Sequence, residues 1–171
     1  ALPVSVVVRL ATDDEAVVDF YNALDRQVGN LPYDVLDDYN GEALEVYLRN
    51  PWLTYALSLH RFRELGVHVP AIDHLDEQAL TMRELYAFCS GLFDAGQGRG
   101  QGQGQRALPD PSANWPAFIR ALAAAQAREQ RHFNPVTKRV MPWIDLTLLN
   151  SLYGRGYQLP VQLQQQQQQQ Q

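Results

Sequence analysis

The chain contains a single cysteine, Cys89, and a single lysine, Lys138. One cysteine excludes an internal disulfide framework and a cysteine-rich zinc site. All other positive charge is on arginine, which reads as a GC-rich coding genome and sets a bacterial source as the expectation. No apolar run approaches the roughly eighteen residues that span a bilayer, so no membrane helix is expected. Ala1–Leu10 is apolar but short for a secretory leader and has no basic start. Position 1 is not Met, so an initiator removed before a small residue and a cleaved leader are both open readings. The glycines between Gly96 and Gly104 alternate with Gln and Arg, lack a Lys-Ser/Thr ending and follow no strand signal, so no phosphate loop is read there.

What is present suits an ordinary globular chain. The 171 residues are 46% hydrophobic and 19% charged, enough to bury a sizeable core. The net charge of −5 is unevenly spread: residues 1–95 carry 6 basic and 16 acidic side chains, whereas residues 115–171 carry 6 and 2. Such asymmetry fits a basic surface for an anionic partner; the plainer reading is that the two parts attract each other.

All three tryptophans adjoin a proline, as Pro51–Trp52, Trp115–Pro116 and Pro142–Trp143. Proline suits a first helical turn, so each pair is read as a helix start anchored by an aromatic. Residues 3–10 alternate β-branched and other side chains and read as a strand. Thr12 and Glu15 form a capping-box pattern, and Val17, Phe20, Tyr21, Leu24 and Val28 fall on one face of the helix behind it. From Pro32, the positions of Leu36, Tyr39, Ala43, Leu44, Tyr47 and Leu48 suggest a second helix that Gly41 would split. Asn50 is expected to cap a central helix that starts at Pro51 and ends at Gly66. Val67–Val69 reads as a short strand, and Asp73 or Asp76 as the start of another helix with Ala79, Met82, Leu85, Cys89 and Phe93 on its stripe. A helix over about 115–132 and a final one opened by Pro142, closing at Gly154, complete the layout.

Three polar groups invite chemistry. Asp73-His74-Leu75-Asp76-Glu77 places a histidine among carboxylates, as a general base or metal site would, although an acidic first helical turn has the same composition. Glu129 and His132 have the Glu-x-x-His spacing of di-iron bundles, but a second copy of the motif is absent, so no metal is expected. His60 and Glu64, four apart, read as an ordinary pair on one helix face. Cys89, between Phe88 and Leu92 on an apolar stripe, reads as an inert thiol. The candidate catalytic residues are therefore Asp73, His74 and His132. Arg120, Arg128 and Arg131 would share about a quarter of a helical circumference, with Lys138 and Arg139 following; these five are the anion- or nucleic-acid-binding candidates. Trp115, just after the Gly/Gln segment, is the candidate interface aromatic.

The fold expected is mainly α, a compact bundle of about five or six helices, or α+β if residues 3–10 join a small sheet. An acidic helical portion (1–95), a Gly/Gln-rich flexible tether (96–107), a basic two-helix portion (108–160) and a Gln-rich tail (161–171) would make one domain overall. The function expected is that of a cytoplasmic, non-enzymatic protein-interaction protein: an adaptor, chaperone, immunity-like factor or complex subunit. No cofactor and no membrane partner are expected, and the oligomeric state is open. The alternatives are a nucleic-acid-associated accessory protein using the basic C-terminal half, and an enzyme with an acid/base site around Asp73 and His74.

Overall fold

A computed structural model describes residues 6–12, 14–25, 33–66, 69–94 and 108–154. The Gly/Gln segment, the Gln tail, Pro32 and the first two residues of the Val67–Val69 strand reading lie outside them. The described chain is mainly α, as expected, with two small sheets. Among the described residues, no helix is long and apolar enough to cross a membrane.

Strand β1 (Val6–Arg9) pairs in parallel with β2 (Tyr33–Leu36), Val8 opposite Val35 and Arg9 opposite Leu36. Parallel strands need a crossover, and α1 (Glu15–Asp25) lies in it. Asp14 immediately precedes α1 and its Oδ1 accepts from the Ala16 amide at 3.0 Å, while Thr12 Oγ1 accepts from Asp14. The cap is thus Asp14, with Thr12 behind it. Phe20 does not join the inward face of α1; it is exposed. The expected helix from Pro32 begins instead as β2, and α2 (Tyr39–Arg49) runs unbroken through Gly41. Asp38 Oδ1 caps it, accepting from the Asn40 and Gly41 amides.

The largest departure concerns Pro51–Trp52 and Pro142–Trp143. Neither opens a helix. Residues 52–54 and 143–145 run antiparallel, joined by an isolated bridge at Leu53 and Ile144. Thr54 N donates to Trp143 O (2.8 Å), Asp145 N to Trp52 O (2.8 Å) and Thr54 Oγ1 to Pro142 O (2.7 Å). These cross-chain bonds commit the backbone that an α-helical ladder would have used, so α3 (Leu57–Glu64) starts six residues after Pro51. Helix α7 (Leu146–Tyr153) is capped by Asp145, whose Oδ1 accepts from Leu148 N at 3.0 Å. Gly66 does close α3 as read, with φ 69°.

Asn50 also does something other than expected. It ends α2, and its fully buried amide clamps the turn at 75–80: Nδ2 donates to Leu75 O and Gln78 O, both 2.8 Å, and Oδ1 accepts from Leu80 N at 3.1 Å. That turn follows the single-turn α4 (Pro70–Asp73), which has Val69 as its N-cap. Helix α5 (Met82–Asp94) begins later than either Asp73 or Asp76, because Thr81 and Glu84 form a reciprocal capping box.

Trp115–Pro116 alone opens a helix, α6 (Trp115–Gln126), with Asn114 Oδ1 accepting from Ala117 N. The helix ends well short of His132. A hairpin follows, β3 (His132–Asn134) antiparallel to β4 (Arg139–Met141). Asn134 Oδ1 accepts from Val136 N and Thr137 N, folding the turn, and Lys138 sits in the left-handed region at φ 57°. One apolar cluster joins Ala43, Val46, Trp52, Leu59, Leu80, Leu85, Phe88 and Cys89 to Phe118, Leu122, Trp143, Ile144 and Leu149, on both sides of the Gly/Gln segment.

Asn50→Ala is expected to strand Leu75 O, Gln78 O and Leu80 N, and to lower stability in urea titration by about 3 kcal/mol, near 1 kcal/mol for each buried group left unpaired. Asn50→Asp keeps the acceptor but aims a carboxylate at two carbonyls, and is expected to be no better. Near-wild-type stability of both would contradict the clamp.

Candidate functional site

The helices α2 and α3 bring together charges that are distant in sequence. Arg63 Nη1 contacts Glu42 Oε2 at 2.5 Å and its Nη2 contacts Asp76 Oδ2 at 3.1 Å. Glu42 and Arg63 are 2% and 3% exposed, so the pair lies inside the protein. Glu42 Oε1 accepts from the Asp37 amide at 2.9 Å. One guanidinium thus answers several carboxylates, since Glu45 has an oxygen within 4.8 Å of those of Glu42 and Asp76. Burial pushes the Glu42 carboxyl up to about 8, with Arg63 opposing and Asp76 adding to the rise. Burial, then Asp76, raises Glu45 as well. Glu42, Glu45 and Asp76 are a hard-oxygen set of the kind that binds a divalent cation. Arg63 already supplies positive charge at that point.

An aromatic layer abuts this centre. The Tyr55 hydroxyl lies 3.3 Å from His60 Nδ1, and the Tyr39 ring stacks on Tyr55 and tilts against His60, at 6.3 and 5.6 Å between centroids. Tyr39 donates its hydroxyl hydrogen to Tyr55 O at 3.1 Å. His60 Nε2 meets Glu64 Oε1 at 3.5 Å, the pair read from their spacing, and Glu64 also takes Arg9 at 2.7 Å and Arg61 at 2.6 Å. Burial lowers the His60 pKa, Glu64 opposing, and burial raises that of Tyr55. The histidine is buried within a mutually paired group.

The residues nominated from sequence are dispersed. The Asp73–Glu77 cluster divides: Asp76 turns to Arg63, whereas His74 Nδ1 pairs with Glu84 Oε1 at 2.7 Å and with the Gln78 amide at 3.2 Å. The Glu84 carboxylate also closes the capping box on Thr81; burial raises its pKa, but the Thr81 and His74 hydrogen bonds outweigh that and lower it overall. Asp73 ends α4. His132 belongs to β3, its ring against Trp143 with centroids 3.8 Å apart; burial lowers its pKa, Glu129 opposing. Cys89 is fully buried and burial raises its thiol pKa, as an inert thiol requires.

Arg120, Arg128 and Arg131, read onto one helix face, do not share a helix. Arg120 is exposed on α6, but Arg128 and Arg131 lie beyond its end. Arg131, Lys138 and Arg139 instead gather on the exposed hairpin. Trp115 is half-buried against α7: its Nε1 donates to Asn150 Oδ1 at 2.7 Å and its ring stacks on Tyr153 at 6.3 Å. Gly154 fits beside this contact because a Cβ there would meet Trp115 Nε1 at 2.7 Å. The large apolar side chains left in solvent include Leu44 and Leu48 on α2, Leu65 after α3, and Phe133 and Val140 on the hairpin.

Glu42, Arg63 and Tyr55 escaped the sequence reading because no short-range spacing links them. The available signal was the pair Glu42 and Val46 inside one helix stripe, with a carboxylate at an inward position. The consequence is testable by pH. Glu42 titrates near 4.5 when exposed and near 8 in the fold, so the folded state binds the proton more tightly. Its stabilising effect is complete below pH 4.5 and is lost as pH rises through 8, by up to about 1.4 kcal/mol per pH unit. His60 acts in the opposite sense, its contribution being lost as pH falls, and cancels when wild type is compared with Glu42→Gln. Denaturant titrations from about pH 5 to 8 are expected to show wild type losing stability relative to Glu42→Gln; parallel profiles would contradict this.

No family model matches the chain, and neither a curated protein nor a solved structure matches it.

Proposed function

We propose that this chain is a non-enzymatic protein-binding module, working in the cytoplasm with its thiol reduced, and that α2 is its docking helix. The observation that carries this reading is the outward stripe of α2. Glu42, Ala43 and Val46 turn inward, and Leu44 and Leu48, 49% and 71% exposed, lie four residues apart on the opposite side. Two leucines one turn apart in water, with exposed Glu45 and Arg49 beside them, have the anchor spacing and polar rim of a helix that beds into a partner's groove.

The polar interior supports the same reading. A catalytic acid or base must reach a substrate within hydrogen-bond distance. Glu42 and Arg63 are buried against each other, and the Tyr55 hydroxyl faces buried His60. The half-open His74–Glu84 pair has the geometry of an oriented base, but its carboxylate is shared with a helix cap.

Affinity capture from the source cells, comparing wild type with Leu44→Glu/Leu48→Glu, tests the proposal. The wild-type chain is expected to retain a protein in near-stoichiometric amount, and the variant at least about tenfold less. The variant's thermal melt is expected to match wild type because both side chains point into solvent. An identical set retained by both proteins, or a wild-type chain recovered alone and monomeric, would contradict it.

A further inference from the structure

We infer that the β3–β4 hairpin is a binding site for single-stranded nucleic acid, with Phe133 as a base-stacking platform and Arg131 and Lys138 as its phosphate contacts. This surface is separate from the α2 stripe.

The two faces of the hairpin are unlike each other. On one face, the His132 ring lies against Trp143, Asn134 is 3% exposed with its carboxamide folded into the turn, and Thr137 Oγ1 donates to Met141 Sδ. That face is fixed to the core. On the other, Phe133 and Val140 stand directly opposite each other in the ladder, 51% and 60% exposed. The strand pair therefore holds an aromatic ring out in water.

The charge carried by the hairpin and the residues flanking it is mostly positive. Between residues 127 and 144 the only carboxylate is Glu129, against Arg128, Arg131, Lys138 and Arg139, all exposed. None of these four cations forms an ion pair with a described residue. Arg131 lies two residues before Phe133 and Lys138 two before Val140, so cations bracket the apolar pair at both ends of the hairpin. The protein as a whole is acidic at −5, so solubility does not require a positive island here. Lys138 has φ 57°, a conformation in which glycine or asparagine is less strained. A lysine at that corner puts a charge where a small residue would sit with less strain.

A ring with cations on two sides matches a polymer that alternates phosphates with flat apolar faces. Single strands expose those faces, whereas a duplex stacks them inside. A lipid surface fits less well, because only Phe133 and Val140 project, and an acidic peptide would use the cations but leave the ring without a partner.

The test is fluorescence anisotropy of the full chain with an end-labelled oligothymidylate of about twelve nucleotides at low salt. Binding is expected to fall with salt at a log–log slope of about −1.4, as for two phosphates on a single strand. Phe133→Ala is expected to weaken it roughly 5- to 100-fold with an unchanged melt, and Phe133→Trp to restore it. Arg131→Glu/Lys138→Glu is expected to abolish it, and Lys138→Gly to weaken it without loss of stability. No binding at about 50 mM salt, equal binding by Phe133→Ala, or stronger binding to anionic vesicles or polyglutamate than to the oligonucleotide would overturn the inference.

Discussion

The antiparallel contact of residues 52–54 with residues 143–145 is the interaction on which the rest of the structure depends. It joins parts of the chain about ninety residues apart through three hydrogen bonds and the bridge at Leu53 and Ile144. Closing so long a loop costs chain entropy, and two short hydrogen-bonded segments alone would not offset it. Burial does: Trp52, Leu53, Trp143 and Ile144 all enter the core, with Phe88 edge-on to Trp52 at 6.0 Å. The same segments also position the elements on either side of residues 143–145. Asp145, bonded through its amide to Trp52, caps α7, and Trp143 carries the His132 ring that seats the hairpin.

This contact also explains which parts of the sequence could be read and which could not. Where a rule is local and nothing distant competes, it holds: Asn114 and Pro116 start α6, Gly66 ends α3, and Cys89 lies in an apolar stripe. Pro51 and Pro142 obey the same local preference for a first turn, yet their neighbours' amides and carbonyls are taken by each other, and tertiary bonding overrides propensity. The hairpin escaped because its strands are three residues long, too short for a period of two to emerge from a helical background. Helix spacing then grouped Arg120, Arg128 and Arg131 wrongly.

The ionic centre was unreadable for a different reason. Glu42, Arg63 and Asp76 come from a helix start, a helix end and a loop, and only folding makes them neighbours. Their burial is costly unless each is paired, so the centre constrains how α2 and α3 meet. With Glu42 drawn inward, helical geometry turns Leu44 and Leu48 outward. The polar interior and the apolar exterior of α2 are therefore two consequences of one orientation.

Amide hydrogen exchange followed by NMR tests most directly whether the 52–54/143–145 contact holds the chain together. The account predicts that the Thr54 and Asp145 amides exchange with the same high protection, equal to the slowest amides of α5, because they open only when the whole core opens. If Asp145 exchanged orders of magnitude faster than the slowest amides of α5, the two parts would open independently and the contact would not be the constraint described.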